Sequence, residues 1–226
     1  MNRTQSNPEK QKRKPRSLLF IALPKPALKK RFTLAAALEQ RRTIRDVSAK
    51  PLPLQVLSNL LWAAAGVNRA NGPFGVRGRT AASASNSQEI DLYVAMKDGT
   101  YLYDPFRHHL DPVAAGDLRA LAIGRGQHGL GAVAPVRLIY VADVDRLVHT
   151  SGYQEPGLRD PETQKSYYYA DTGLMAENVY LFAASLGLAA WFHNCDKPAL
   201  AAKLGLSKDQ HALFAQTVGY PAKKSR

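Results

Sequence analysis

Apolar residues recur three and four apart at Leu54, Leu57, Leu60, Leu61 and Ala64. That spacing predicts a helix opening after Pro53 and ending at Gly66. Thr33 stands as the N-cap of a shorter helix through Leu34, Leu38 and Arg41. Residues 90–95 alternate as a strand, Lys97-Asp98-Gly99 is a turn signal, and Tyr101-Leu102-Tyr103 returns, which together predict a hairpin. A helix is expected at about 114–122. Residues 136–141 are nearly all apolar and predict a strand central to a sheet. The longest helical pattern runs over about 171–186 and is apolar nearly all round, with Leu174, Met175, Val179 and Phe182 among its residues. Such a helix is buried on most sides, in a core or in a subunit interface. Gly187 sits where a C-cap belongs. A short strand at 189–192, a short helix at 198–204 and a last strand at 212–218 complete the reading. Residues 66–80 and 151–166 read as loops, and 18–23 as a short extended segment before a Pro-rich turn. Helices alternate with strands, but hairpin pairing is mixed in. That favours an α+β or α/β sandwich over a doubly wound sheet.

Composition narrows the class. With 226 residues, 45% of them hydrophobic, the chain has material for a real core. One cysteine excludes an intramolecular disulfide and a Cys-rich zinc module. Lys+Arg is 31 and Asp+Glu 18, a formal charge of 31 − 18 = +13, but residues 1–31 hold ten of those cations and one acid, which is +9. The remainder is only mildly basic, which weakens a nucleic-acid reading. Residues 1–17 are expected to be a basic, disordered arm, and 18–226 a single domain. The apolar run before Pro24 is seven residues long and has no small-residue cleavage site beyond it. No membrane span is expected, and the cytoplasm is the expected compartment, with export as the alternative.

Several clusters invite a chemical reading. Gly124–Gly131 contains GxGxxG, but it follows a predicted helix and precedes a strand, the reverse of a dinucleotide fingerprint. His108-His109 lacks metal-ligand spacing and reads as a structural or solvent-facing pair. His193-Asn194-Cys195-Asp196 is contiguous in sequence, which does not make a triad. Arg41, Arg42 and Arg45 put three guanidiniums within five residues. They read either as a fork for a phosphate dianion or as cations offsetting a helix C-terminus. The stretch 82–88 is a run of hydroxyls and amides with little bulk, suited to close approach to a planar ligand, or simply a polar loop. Lys223, Lys224 and Arg226 form a basic end that reads first as a frayed tail.

Taken in order, these stretches resemble the FMN-dependent nitroreductase superfamily, in its SagB-type, azoline-oxidase-like branch. The carrying residues are LPKP at 23–26, RRTIR at 41–45, LSNLLWAAAG at 57–66 and RTAASASNSQ at 79–88. GTYLYD at 99–104, residues 173–188 and VGYP at 218–221 complete the set. The resemblance covers about residues 20–221. It implies an α/β/α sandwich of α+β class with a central mixed, mainly antiparallel sheet, as an intertwined homodimer with two FMN molecules in its interface. It places the phosphate and ribityl site on Arg41, Arg42, Thr43 and Arg45. The flavin loop falls on Ser83, Ala84, Ser85 and Asn86, with Ala82 where the family has Pro and with Gln88 on the substrate side. Phe192 and His193 fall where the family backbone approaches the flavin, without the usual glycines. Lys224 and Arg226 fall near the C-terminal phosphate ligands. No catalytic side chain and no metal is implied, because the flavin N5 carries the hydride.

The function expected from this is a homodimeric FMN oxidoreductase. It takes hydride from NAD(P)H, or from a reduced organic donor, and passes electrons to a nitro or quinone acceptor. The azoline oxidases carry a Lys-Tyr pair before the long helix; here Ser166 separates Lys165 from Tyr167, which demotes peptide azoline oxidation. A flavin-binding protein without efficient turnover is the third reading. The substrate expected is a small molecule.

Overall fold

A computed structural model describes residues 18–28, 33–127, 133–151 and 156–223. The basic arm at 1–17, Lys224 and Arg226 lie outside the described residues.

The centre of the molecule is strand β7 (Val136–Asp143), which is buried on both faces. It pairs with β4 (Ile90–Ala95) on one side and β9 (Gln210–Gly219) on the other. The sheet extends through β5 (Gly99–Asp104), β6 (His109–Ala115) and β1 (Ile21–Ala22) to one edge. Strand β8 (Ala189–His193) forms the other edge, giving the order β1-β6-β5-β4-β7-β9-β8. Every described pair in this sheet is antiparallel, so the mixed pairing expected of it does not occur among the described residues. A small ribbon of β2 (Val67–Arg69) and β3 (Gly78–Arg79) stands apart, inside the stretch expected to be a loop.

Alternation along β7 sorts the core into two layers. Leu138, Tyr140 and Ala142 face helices α2 (Leu54–Ala65) and α4 (Pro161–Ser185). Ile139 and Val141 face the opposite layer with Leu200 and Leu204 of α5 (Lys197–Leu204). The Tyr140 hydroxyl donates to Gln216 Oε1 at 2.5 Å, and Gln216 Nε2 donates to the Ala176 carbonyl, tying sheet to α4 through a fully buried polar chain. Helix α1 (Leu34–Gln40) is capped by Thr33, which accepts from Ala36 N at 3.2 Å. The short helix α3 (Val144–Val148) follows β7.

Two expectations are corrected. No helix forms at 114–122: β6 runs to Ala115, Gly116 turns the chain at φ +88°, and Asp117 then clamps Arg119 through three hydrogen bonds in a turn. The long helix starts at Pro161, ten residues before the apolar pattern does, because Asp160 caps it by accepting from Thr163 N at 2.8 Å and Pro161 fills the first turn. Its first turns are polar, so periodicity alone reads them as part of the 151–166 loop. The helix is also not buried all round: Tyr169, Ala170, Gly173, Leu174 and Glu177 form an exposed stripe.

Candidate functional site

After α1 the chain runs extended along the free edge of β8, where Ile44 N donates to the Ala190 carbonyl at 3.0 Å. Arg41 lies over the Tyr180 ring at 5.4 Å, and Arg45 lies over Trp191 at 5.7 Å. The Tyr180 hydroxyl meets Thr43 Oγ1 at 3.2 Å and accepts from Phe192 N at 2.8 Å. Tyr180 therefore gathers Arg41, Thr43 and Phe192 into one cluster at the C-terminal half of α4. The last turn of α1 holds no basic residue, since all three arginines lie beyond it. None of the three has an ion-pair partner among the described residues. Arg41 is the C-cap of α1 and can offset its dipole, while Arg42 and Arg45 lie beyond the helix.

The chain end comes to the same place. Val47 bridges Pro221, Ser48 N donates to the Tyr220 carbonyl, and Ala222 N donates to the Asp46 carbonyl at 2.8 Å. Ala222 thus pairs with the residue next to Arg45, two positions before Lys224.

The 82–88 loop is elsewhere. It is a strained turn: Ser85, Asn86 and Gln88 all have positive φ, at 48°, 55° and 54°. Its shape is fixed from beneath. Asp171 Oδ2 accepts from Ala84 N at 2.8 Å, Ser83 Oγ accepts from Gln88 N at 3.0 Å, and Gln88 Nε2 donates to the Arg77 carbonyl and to Asn86 Oδ1. Asn86 Nδ2 reaches the Pro73 and Val76 carbonyls. Gln88, expected on the substrate side, is buried and braces Asn86 instead. Arg146 of α3 donates to the Gln88 carbonyl while held by Asp91 and Asp143.

These two clusters are not adjacent. Asp171 and Tyr180 are nine residues apart on α4, about 13 Å along the axis and about two and a half turns around it. They occupy opposite flanks of the helix, and the exposed stripe lies between them.

His193 does not join either cluster through its side chain. It sits on the sheet face opposite Phe192, with Nε2 at 2.8 Å from Thr217 Oγ1 and its ring against Trp191. Burial pushes its pKa down to about 4, and the charge of Arg137 adds to this. Burial likewise pushes the Cys195 thiol up to about 11, so the 193–196 stretch holds no activated nucleophile. His108 links Tyr103 to Ser58, with Ser58 Oγ at 2.8 Å from Nε2. Ser58 is wholly buried and bonded to the Pro24 carbonyl, so this Ser–His contact anchors the N-terminal segment rather than facing a substrate. Asp104, His109 and Asp111 draw together at the far edge of the sheet, where Asp104 Oδ1 closes the turn by accepting from Phe106 N and Arg107 N.

A cavity of about 460 Å³ lies between α4, α5 and β9, lined by Lys165, Tyr168, Tyr169, Lys197 and His211 among others. Tyr180, Asp171, Glu89 and Arg146 were not readable as site residues from sequence. Tyr180 falls in an apolar run, Asp171 and Arg146 reach the loop backbone from positions distant in sequence, and Glu89 follows the loop directly and accepts from Ser87 Oγ.

Comparison with known proteins agrees with this arrangement. A family model described as the nitroreductase family matches residues 38–220. MJ1384 of Methanocaldococcus jannaschii, a nitroreductase by name, is 33% identical over 162 residues, 69% of this chain and 75% of its own. A crystal structure of a Ralstonia eutropha JMP134 protein, also named a nitroreductase, superposes with a TM-score of 0.77 at 36% identity, covering 92% of both chains. The Escherichia coli microcin synthetase McbBCD complex with truncated pro-MccB17 shares the fold, with a TM-score of 0.66 at 18% identity over 89% of this chain and 78% of its own. No helix among the described residues is long and apolar enough to cross a membrane. The chain therefore belongs to the nitroreductase family of oxidoreductases, whose members typically bind flavin.

Proposed function

We propose that the protein is an FMN-dependent oxidoreductase working as a homodimer, with each FMN held between two chains. The observation that carries this reading is the separation of the two clusters on opposite flanks of α4. One chain offers three arginines on one flank and a braced, low-bulk loop on the other, about 13 Å apart along the axis and half a turn around it, with α4 between them. A second copy packed on the exposed stripe of Tyr169, Ala170, Gly173 and Leu174 supplies the missing half to each.

The residues present fit FMN. Arg41, Arg42 and Arg45 are unpaired cations for its phosphate, and Thr43 offers a hydroxyl beside them. Lys224 and Arg226 follow directly on the segment paired with Asp46. Ser83, Ala84, Ser85 and Asn86 present small, polar surface for the ring. Bound FMN supplies the hydride chemistry, accepting from NAD(P)H or a reduced organic donor and releasing electrons to a nitro or quinone acceptor. The chain's work is to bind, orient and leave one ring face open.

An anaerobic absorbance titration with NADH, then NADPH, tests the reading. Flavin bands that bleach on addition support it. A yellow protein that stays oxidised contradicts the nicotinamide donor. A colourless protein that refuses added FMN contradicts the flavin assignment.

A second reading is favoured by one observation. Lys165, Tyr168 and Tyr169 lie three and four apart on α4 and line the same cavity. A Lys–Tyr pairing interrupted in sequence is thus available in space, and the microcin synthetase likeness is consistent with an azoline-type dehydrogenase of the SagB branch. Oxidation of an azoline peptide without nicotinamide distinguishes it.

A further inference from the structure

Two carboxylates meet behind the 83–88 loop. Glu89 is wholly buried, and Asp171 is 6% exposed. Ser87 Oγ donates to Glu89 Oε2 at 2.6 Å, while Glu89 Oε1 is buried without any donor. Asp171 holds Ala84 N with one oxygen. Burial raises both carboxyls; that of Glu89 is pushed up to about 7, with the charge of Asp171 adding to the effect. Two ionised carboxylates side by side in a low dielectric repel, and one proton held between them removes a charge and supplies a hydrogen bond.

The other charges facing this pair do not neutralise it. Arg79 of β3 favours the ionised form of Glu89, but burial outweighs it. Arg146 of α3 is taken by Asp91 and Asp143. Met175 and Ile90 are apolar neighbours, and with Arg79 and Ser83 they line a narrow space of about 10 Å³ beside Asp171, room for about one water at most.

The loop needs this support. Non-glycine residues at positive φ persist only where the surroundings hold them, and this loop has three. The Ala84–Asp171 bond is the anchor of the loop on α4.

We propose that Glu89 and Asp171 are positioning residues for the flavin: a proton shared between them keeps Asp171 seated on Ala84, and its loss loosens the 83–88 loop and weakens FMN binding. This rests on the flavin reading above, but the shared proton has a signature that needs no flavin.

The test compares the full-length protein with Glu89→Gln, whose amide donates permanently to Asp171 while its oxygen still accepts from Ser87. FMN affinity of the apoprotein is measured by fluorescence on both sides of pH 7. The wild type is expected to lose about tenfold in affinity as pH rises through that range, and E89Q to keep the acid-side affinity throughout. The FMN phosphate titrates in both proteins, so their difference isolates the pair. Thermal unfolding of the apoprotein gives the second readout. A carboxyl whose folded pKa lies near 7 against 4.5 unfolded stabilises fully below about 4.5 and loses that stability as pH rises to about 7. The wild type is expected to show this decline and E89Q to lack it. Parallel profiles for the two proteins in both measurements overturn the shared proton. A decline in unfolding with no FMN bound at any pH leaves the carboxyl pair standing and overturns its role toward flavin.

Discussion

Replacing Arg41 and Arg45 together by alanine lowers FMN affinity by about 3–6 kcal/mol, a loss on the order of a hundredfold to ten-thousandfold. Each guanidinium supplies a charge-assisted contact to phosphate of roughly 1.5–3 kcal/mol. Neither arginine has a carboxylate partner among the described residues, so their removal strands no buried charge. Arg45 is exposed and Arg41 half-buried, so the loss falls on binding rather than on folding. Lysines at both positions keep the charge but not the planar fork, and an intermediate affinity is expected. Fluorescence titration of the apoproteins reads the series. Full flavin occupancy in the double alanine variant contradicts the phosphate assignment.

Gly173→Arg is the second large effect, and it separates folding from assembly. Gly173 lies on the exposed stripe of α4, and an added Cβ there meets no atom within 4 Å. Within one chain the substitution is harmless. Glycine in a helix interior is disfavoured against ordinary residues by about 0.5–1 kcal/mol, so the variant chain is expected to be no less stable. In a dimer packed on this stripe, an arginine enters a close helix–helix contact with no partner for its charge. The expected outcome is a folded monomer by light scattering and circular dichroism that has lost FMN together with its partner. A dimer that keeps its flavin contradicts the interface assigned to α4.

Much of the fold was legible because periodicity and turn chemistry agreed. The hairpin of β4 and β5 follows from alternation and a turn signal, α2 from 3/4 spacing between Pro53 and Gly66, and the central position of β7 from a nearly unbroken apolar run. The failures have local physical causes. β6 carries Pro112 and alternates poorly, so its strand character comes from pairing with β5 and not from its own residues. Residues 162–166 of α4 are polar and lie near the surface, and their helix is set by the Asp160 cap, a one-residue signal easily passed over. The arginine cluster was visible as charge density, and the structure puts Arg41 at the C-cap of α1 with Arg42 and Arg45 beyond it. Gln88 was assigned by its place beside the loop. Its burial and its bond to Asn86 depend on Arg77, brought in by the β2–β3 ribbon. The division of the site into two clusters was not legible at all. It arises from the phase of one helix, which is fixed by contacts at Asp171 and Tyr180 with partners more than eighty residues away in sequence.

The measurement that bears most directly on the shared site is flavin stoichiometry in mixed pairs. One chain carries Arg41→Ala with Arg45→Ala, the other carries Asp171→Ala, and the two bear different affinity tags so that only the mixed pair is recovered. Each parent is expected to hold little or no FMN. If every site takes its fork from one chain and its loop from the other, the mixed pair contains one site with both halves intact and binds one FMN per two chains. A mixed pair as empty as its parents shows that each site lies within a single chain, and contradicts the account.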